Sequence, residues 1–188
     1  MRKTIVIFIS LLTLIGLSCG LFTPKEDGRS SWPTPVVSEN EAQKFKENVK
    51  SAGDQLNANQ PVVLVVTESE LTSFVVFELQ NQDISVIQDP QIYLRDGNVK
   101  VYGQYEEAGT TLNVSVQLRF AVLDGKIQIQ IETVSLNGFN APDSLASKVQ
   151  MAISEQVEPA LNQWLGDGMY IDTLQIGDGI LTITGHKP

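Results

Sequence analysis

Thiols are almost absent from this chain. Its single cysteine, Cys19, stands at the far edge of the N-terminal apolar run IVIFISLLTLIGLSCGLF, so nothing after it can form a disulfide, a thiolate nucleophile or a cysteine metal site. Imidazole is as scarce. The one histidine, His186, is two residues from the end in a tail expected to fray, which excludes a histidine-based triad and a zinc site with several imidazoles. Cations are outnumbered, 13 Lys and Arg against 22 Asp and Glu for a formal charge of -9. That balance argues against nucleic acid, which needs a clustered excess of Lys and Arg, and against electrostatic adhesion to anionic lipid headgroups. No nucleophile elbow, phosphate-binding loop or dinucleotide fingerprint stands at a strand-to-helix junction. Glu106 and Glu107, and the turn acids Asp167, Asp172 and Asp178, read as solvated carboxylates rather than a calcium or glycosidase site. No metal, cofactor or catalytic residue is expected, and the chain does not read as an enzyme.

What is present begins with the apolar run. Arg2 and Lys3 precede it, Thr4 to Leu17 form its mostly apolar body, and Ser18, Cys19 and Gly20 supply small residues for processing, the three parts of an export signal. Leu14 to Gly20 also resembles the lipobox of bacterial lipoproteins, in which the cysteine becomes the diacylated, palmitate-type first residue of the mature chain. Ser18 fits that pattern, and Gly16 stands where leucine is usual. Three readings stay open: a lipid anchor on Cys19, an uncleaved anchor, because Thr4 to Phe22 approaches the ~20 apolar residues that span a bilayer, and plain cleavage at Ser18-Cys19-Gly20. Each puts the domain outside the cytoplasm, tied to the cell membrane in the first two. The expected organisation is a signal peptide over 1–18, a lipidated cysteine with a flexible proline-containing tether over 19–37, and one domain over 38–188. At ~150 residues that domain can bury ~70% of its surface.

Within the domain the hydrophobic period changes several times. Ser38 and Glu41 form a capping box ahead of a helix whose stripe is Ala42, Phe45, Val49, Ala52 and Leu56. PVVLVV reads as a short buried strand. Thr67 and Glu70 form a second capping box, with Val66 and Leu71 as a hydrophobic staple, opening a helix that is apolar on more than one side. Alternation then takes over: Ile92 and Leu94 against Val99 and Val101 around Asp96-Gly97, next Leu112 to Val122 at every second position, then Ile127, Ile129 and Ile131 after Asp124-Gly125. The phase slips between Ile131 and Val134, which places a bulge near Glu132-Thr133. A long helix follows, with stripe Leu145, Val149, Ala152, Ile153, Val157, Ala160, Leu161 and Trp164, and Pro159 should kink it. A hairpin at Asp178-Gly179 closes the chain. The class is α+β, with an antiparallel sheet covered on one face.

The stretches VTESELTSFVVFEL, DPQIYLRDGNVKVYG, LDGKIQIQI and IDTLQIGDGILTITG, in that order, resemble exported bacterial proteins of the LmeA-like and YpmS-like kind, related in fold to tubular lipid-binding domains. The resemblance covers Val62 to Gly185. It implies a strongly curved antiparallel sheet wrapped around the long C-terminal helix, additional N-terminal helices, and an apolar channel for acyl chains between sheet and helix. The expected channel residues are Phe74 and Phe77, Val116, Leu118 and Phe120, and Val149, Ala152, Ile153, Val157 and Trp164. The resulting reading is a membrane-anchored, non-catalytic lipoprotein that binds lipid or another hydrophobic ligand. Its rival is a ligand-free cell-envelope scaffold or protein-interaction module, an accessory of envelope assembly, that packs the same gap solid and takes a partner along an edge strand.

Overall fold

The chain divides into two units, Met1–Trp32 and Pro33–Pro188. A computed structural model describes residues 32–56, 60–81, 87–166 and 168–187, so the expected export signal and Cys19 lie outside the described residues. In the second unit Ser38 begins the first helix, α1 (Glu39–Asp54), its hydroxyl accepting from the Glu41 amide at 3.2 Å. The return arm of the expected capping box is not Glu41, whose carboxylate pairs with Lys44 at 2.6 Å. Instead the Ser38 amide donates to Ser73 Oγ at 3.1 Å. Two residues earlier, the Val36 amide donates to Ser69 Oγ at 3.0 Å, and Ser73 Oγ donates to the Val36 carbonyl at 3.2 Å. Residues 36 and 37, assigned by sequence to the tether, are thus stitched down with the domain.

Strand β1 (Val62–Thr67) runs straight into helix α2 (Glu68–Asn81). The join is the reciprocal capping box: the Thr67 amide donates to Glu70 Oε2 at 2.8 Å and the Glu70 amide to Thr67 Oγ1 at 3.3 Å. The strand itself corrects an expectation. Val62, Leu64 and Val66 are buried, but Val63 and Val65 are 58% and 47% exposed, because β1 is an edge strand of a sheet covered on one face only. Leu71, Thr72, Ser73 and Phe74 are all buried, which four successive helical residues achieve only when protein lies on every side.

Strands β2 (Gln88–Arg95), β3 (Asn98–Glu107), β4 (Thr110–Leu123), β5 (Lys126–Leu136) and β6 (Phe139–Asn140) form a five-stranded antiparallel meander in chain order. Register puts Ile92 against Val101, Val101 against Val116, and Val99 against Leu118, so one face is continuously apolar. Gln117 pairs with Thr133 and Leu118 with Ile131, leaving Glu132 as the extra residue of a bulge where the phase slips. The β5–β6 hairpin at Asn137-Gly138, both at positive φ, is an addition to the expected strands. Asn-Gly is the dipeptide that would have marked it.

The last hairpin, β7 (Tyr170–Ile176) and β8 (Ile180–His186), does not extend this meander. β8 pairs with β1, giving a separate antiparallel sheet of order β1-β8-β7. His186 is the final residue of β8, its Nδ1 2.9 Å from Asp172 Oδ2. The frayed tail expected there is therefore corrected to a strand end. Before this hairpin runs the third helix, α3, made of α-helical Asp143–Ala152, a π-helical turn Ile153–Val157 and α-helical Glu158–Gly166. Among the described residues the architecture is α+β, two antiparallel sheets with three helices, and the core fills the space between the sheets' inner faces and those helices.

Candidate functional site

Edge strands leave half their backbone groups unpaired, and a protein must cover them or risk adhesion. Both margins of the five-stranded sheet are covered by helix side chains. Along β2, Thr72 Oγ1 accepts from the Ile92 amide at 3.1 Å, and Glu68 Oε1 accepts from the Leu94 amide at 2.6 Å. Glu68 is also ion-paired to Arg95, and the Leu94 carbonyl takes the Gly179 amide at 2.9 Å. Along β5, Asn162 meets both backbone groups of Ile127 at 2.8 Å, and Glu158 Oε2 accepts from the Ile129 amide at 2.9 Å. Helices α2 and α3 are thereby fixed to opposite margins of one sheet.

Between those seams the sheet and helices meet chiefly through apolar contact, with Lys148 of α3 donating to the Tyr105 hydroxyl of β3 at 3.3 Å, and the apolar contact is incomplete. A cavity of about 140 Å³, partly open to solvent, lies there. Its floor is Ile92, Val99, Val101, Val116, Leu118, Phe120 and Ile129 of the sheet. Its walls are Leu71 and Val75 of α2, Ile87 and Pro90 at the start of β2, and Val149, Ala152, Ile153, Gln156, Val157 and Leu161 of α3. Gln156 is the one polar residue in that set, and no charged side chain belongs to it.

The wall owes its shape to two backbone features. A Cβ on Gly103 would come within 2.6 Å of the Gln88 carbonyl oxygen and would also strike the Ile87 side chain, so only glycine lets the irregular start of β2 lie this close to β3. On α3, the π turn replaces the simple kink expected from Pro159. Proline cannot donate to the carbonyl four residues back, and its ring crowds that carbonyl. The helix widens just ahead of it, with the Glu158 amide reaching the Ile153 carbonyl, and Ser154 Oγ donating to the Gln150 carbonyl at 2.9 Å. The turn Ile153–Val157 contributes Ile153, Gln156 and Val157 to the cavity wall.

Seven residues expected at a channel, Val116, Leu118, Phe120, Val149, Ala152, Ile153 and Val157, come together around this cavity. Phe74 and Trp164 sit elsewhere. Their rings meet edge to face at 4.7 Å, and Phe74 stacks on Phe45 at 4.3 Å, a packed aromatic cluster that secures α1 between α2 and α3. Trp164 also borders a second hollow of about 350 Å³ that includes Lys50 and Asp54. Phe77 is half-buried and outside the cavity lining. Of the lining residues not anticipated, Val99, Val101 and Ile92 could have been found by carrying the Asp96-Gly97 hairpin register across to Val116. Gln156 could have been found as the polar member of an apolar helical stripe. Among the described residues no three His, Cys, Asp or Glu side chains converge as metal ligands would.

Three comparisons with known proteins bear on this arrangement. A family model described as LmeA-like phospholipid-binding matches residues 55–186. No curated protein matches the sequence. Among solved structures, a lipopolysaccharide binding protein aligns at 10% identity and a TM-score of 0.24, over 89% of this chain and 48% of its own. The chain thus spans about half that protein's length, and the likeness is too remote to carry a shared fold.

Proposed function

The chain belongs to the LmeA-like phospholipid-binding family, and from that premise we propose that it is a non-catalytic lipid-binding protein that seats an acyl chain in the cavity between the five-stranded sheet and α3. The observation that carries this reading is the cavity lining, apolar throughout except for Gln156. Volume sets the mode of binding. An enclosed apolar space of ~150 Å³ accommodates a molecule of benzene's size, whereas drug-sized ligands occupy ~300–1,000 Å³. At about 140 Å³ the interior takes the end of one chain. The open part of the trough takes the remainder, and the headgroup stays outside. On this reading the sheet curves strongly around α3, the protein works outside the cytoplasm, and acylated Cys19 holds it at the membrane from which it draws its ligand. Among the described residues no helix is long and apolar enough to cross a bilayer; on this reading attachment comes from the N-terminal run.

The test has two arms. The purified full chain is extracted and its copurified lipids analysed by mass, and uptake of a fluorescent fatty acyl probe is titrated. Wild type is expected to take up probe. Ala152→Trp is expected to lose uptake while its unfolding midpoint barely moves, because the added ring enters space a chain would fill. The opposite pattern, no uptake by wild type with Ala152→Trp destabilised by ~1–3 kcal/mol as in a packed core, would support the ligand-free scaffold instead.

A further inference from the structure

Gln156 stands out on the wall for its chemistry. It occupies a position on the α3 stripe that faces the sheet, four residues after Ala152 and three after Ile153, where every other member is apolar. It lines the cavity yet is itself exposed, so it lies at the rim, where apolar lining gives way to water. Its amide carries two donor hydrogens and one acceptor oxygen. No hydrogen bond engages it among the described residues. Among the described residues the lining offers no lysine, arginine or histidine, so a carboxylate or phosphate at this rim gains no counter-charge from it.

We propose that Gln156 is the site's polar contact, donating from its amide nitrogen to the neutral carbonyl of an esterified acyl chain, and that the site therefore selects acyl esters over free fatty acid anions. This inference rests on the acyl-binding reading above and names its ligand class. A chain inserted end first leaves its carbonyl at the rim, where a donor is useful and a buried charge is not required. Headgroup charge would go unread, because nothing that could read it lines the cavity.

The experiment uses the full chain and displacement of an uncharged fluorescent acyl ester by methyl laurate, laurate anion and dodecane. Wild type should rank methyl laurate first. Gln156→Leu should cost the ester about 2- to 10-fold, the net worth of one hydrogen bond, and bring it level with dodecane. Gln156→Lys should invert the ranking in favour of laurate anion. Because residue 156 is exposed, both variants should unfold at the wild-type midpoint. An unchanged ranking in both variants overturns the role of Gln156 while leaving acyl binding intact. Failure of all three proteins to take up the probe overturns the acyl-binding reading and this one with it.

Discussion

Asn162 holds more backbone than any other side chain of α3. Its Oδ1 accepts from the Ile127 amide and its Nδ2 donates to the Ile127 and Glu158 carbonyls, at 2.8, 2.8 and 3.0 Å. Asn162→Leu would keep the volume but leave both Ile127 groups unpaired at a half-buried seam. The expected loss is ~1–3 kcal/mol, the cost of unsatisfied buried polar groups rather than of one exchanged hydrogen bond, checked by denaturant unfolding with an unchanged m-value. Nothing in the sequence marks this residue. It sits on a helix between Leu161 and Gln163, and its partner is 35 positions away, so only folding reveals that it finishes a strand. The capping box at Thr67 and Glu70 was legible because both its members lie within one turn. The box at Ser38 was half legible for the same reason: its hydroxyl serves the local amide, but its own amide is served by Ser73 from another helix.

At the scale of elements, alternation and turn dipeptides located the strands, and a phase slip located the bulge at Glu132. The bulge at Asp172 was hidden. β7 is only seven residues long, too short for Ile171 and Leu174 to declare themselves out of phase, although the register with β8 shifts between Ile171 and Thr173. The separation into two sheets was hidden as well, since the pairing of β1 with β8 joins segments from opposite ends of the domain and leaves no local signature. Pro159 was legible as a disturbance but not as a widened turn, because the helix's response depends on what α3 packs against. Pro159→Ala restores the missing amide and removes the ring, so an ordinary α-helical turn becomes available at Ile153–Val157. The expected outcome is a higher unfolding midpoint together with weaker acyl uptake, the trade expected when strain shapes a site. Stabilisation with unaltered uptake would show that the π turn serves only the proline.

Considered whole, the molecule confines its ligand question to one sheet and its attachment question to one residue outside the described region. Cys19→Ser should block maturation and leave the Met1 to Ser18 segment uncut, so that the unprocessed chain stays with the membrane through its apolar run. A wild-type membrane form that still carries Met1 to Ser18 would favour the uncleaved anchor. The covered margins of β2 and β5 also bear on the scaffold alternative, since strand addition needs free backbone groups. Among the described residues β1, β6 and β7 each have a strand on one side only, which leaves those edges as places for such a partner. The seams along those margins have one further consequence. They fix the rim of the trough while its centre rests on incomplete packing, so the folded protein carries excess volume that unfolding would release to water. As an upper limit, with the apolar trough dry, about 140 Å³ per molecule amounts to roughly 80 mL/mol, of the order of whole-protein unfolding volumes, with which internal voids scale without equalling them. Hydrostatic pressure should therefore unfold this domain readily, and any molecule that fills the trough, identified or not, should raise the pressure at which it yields.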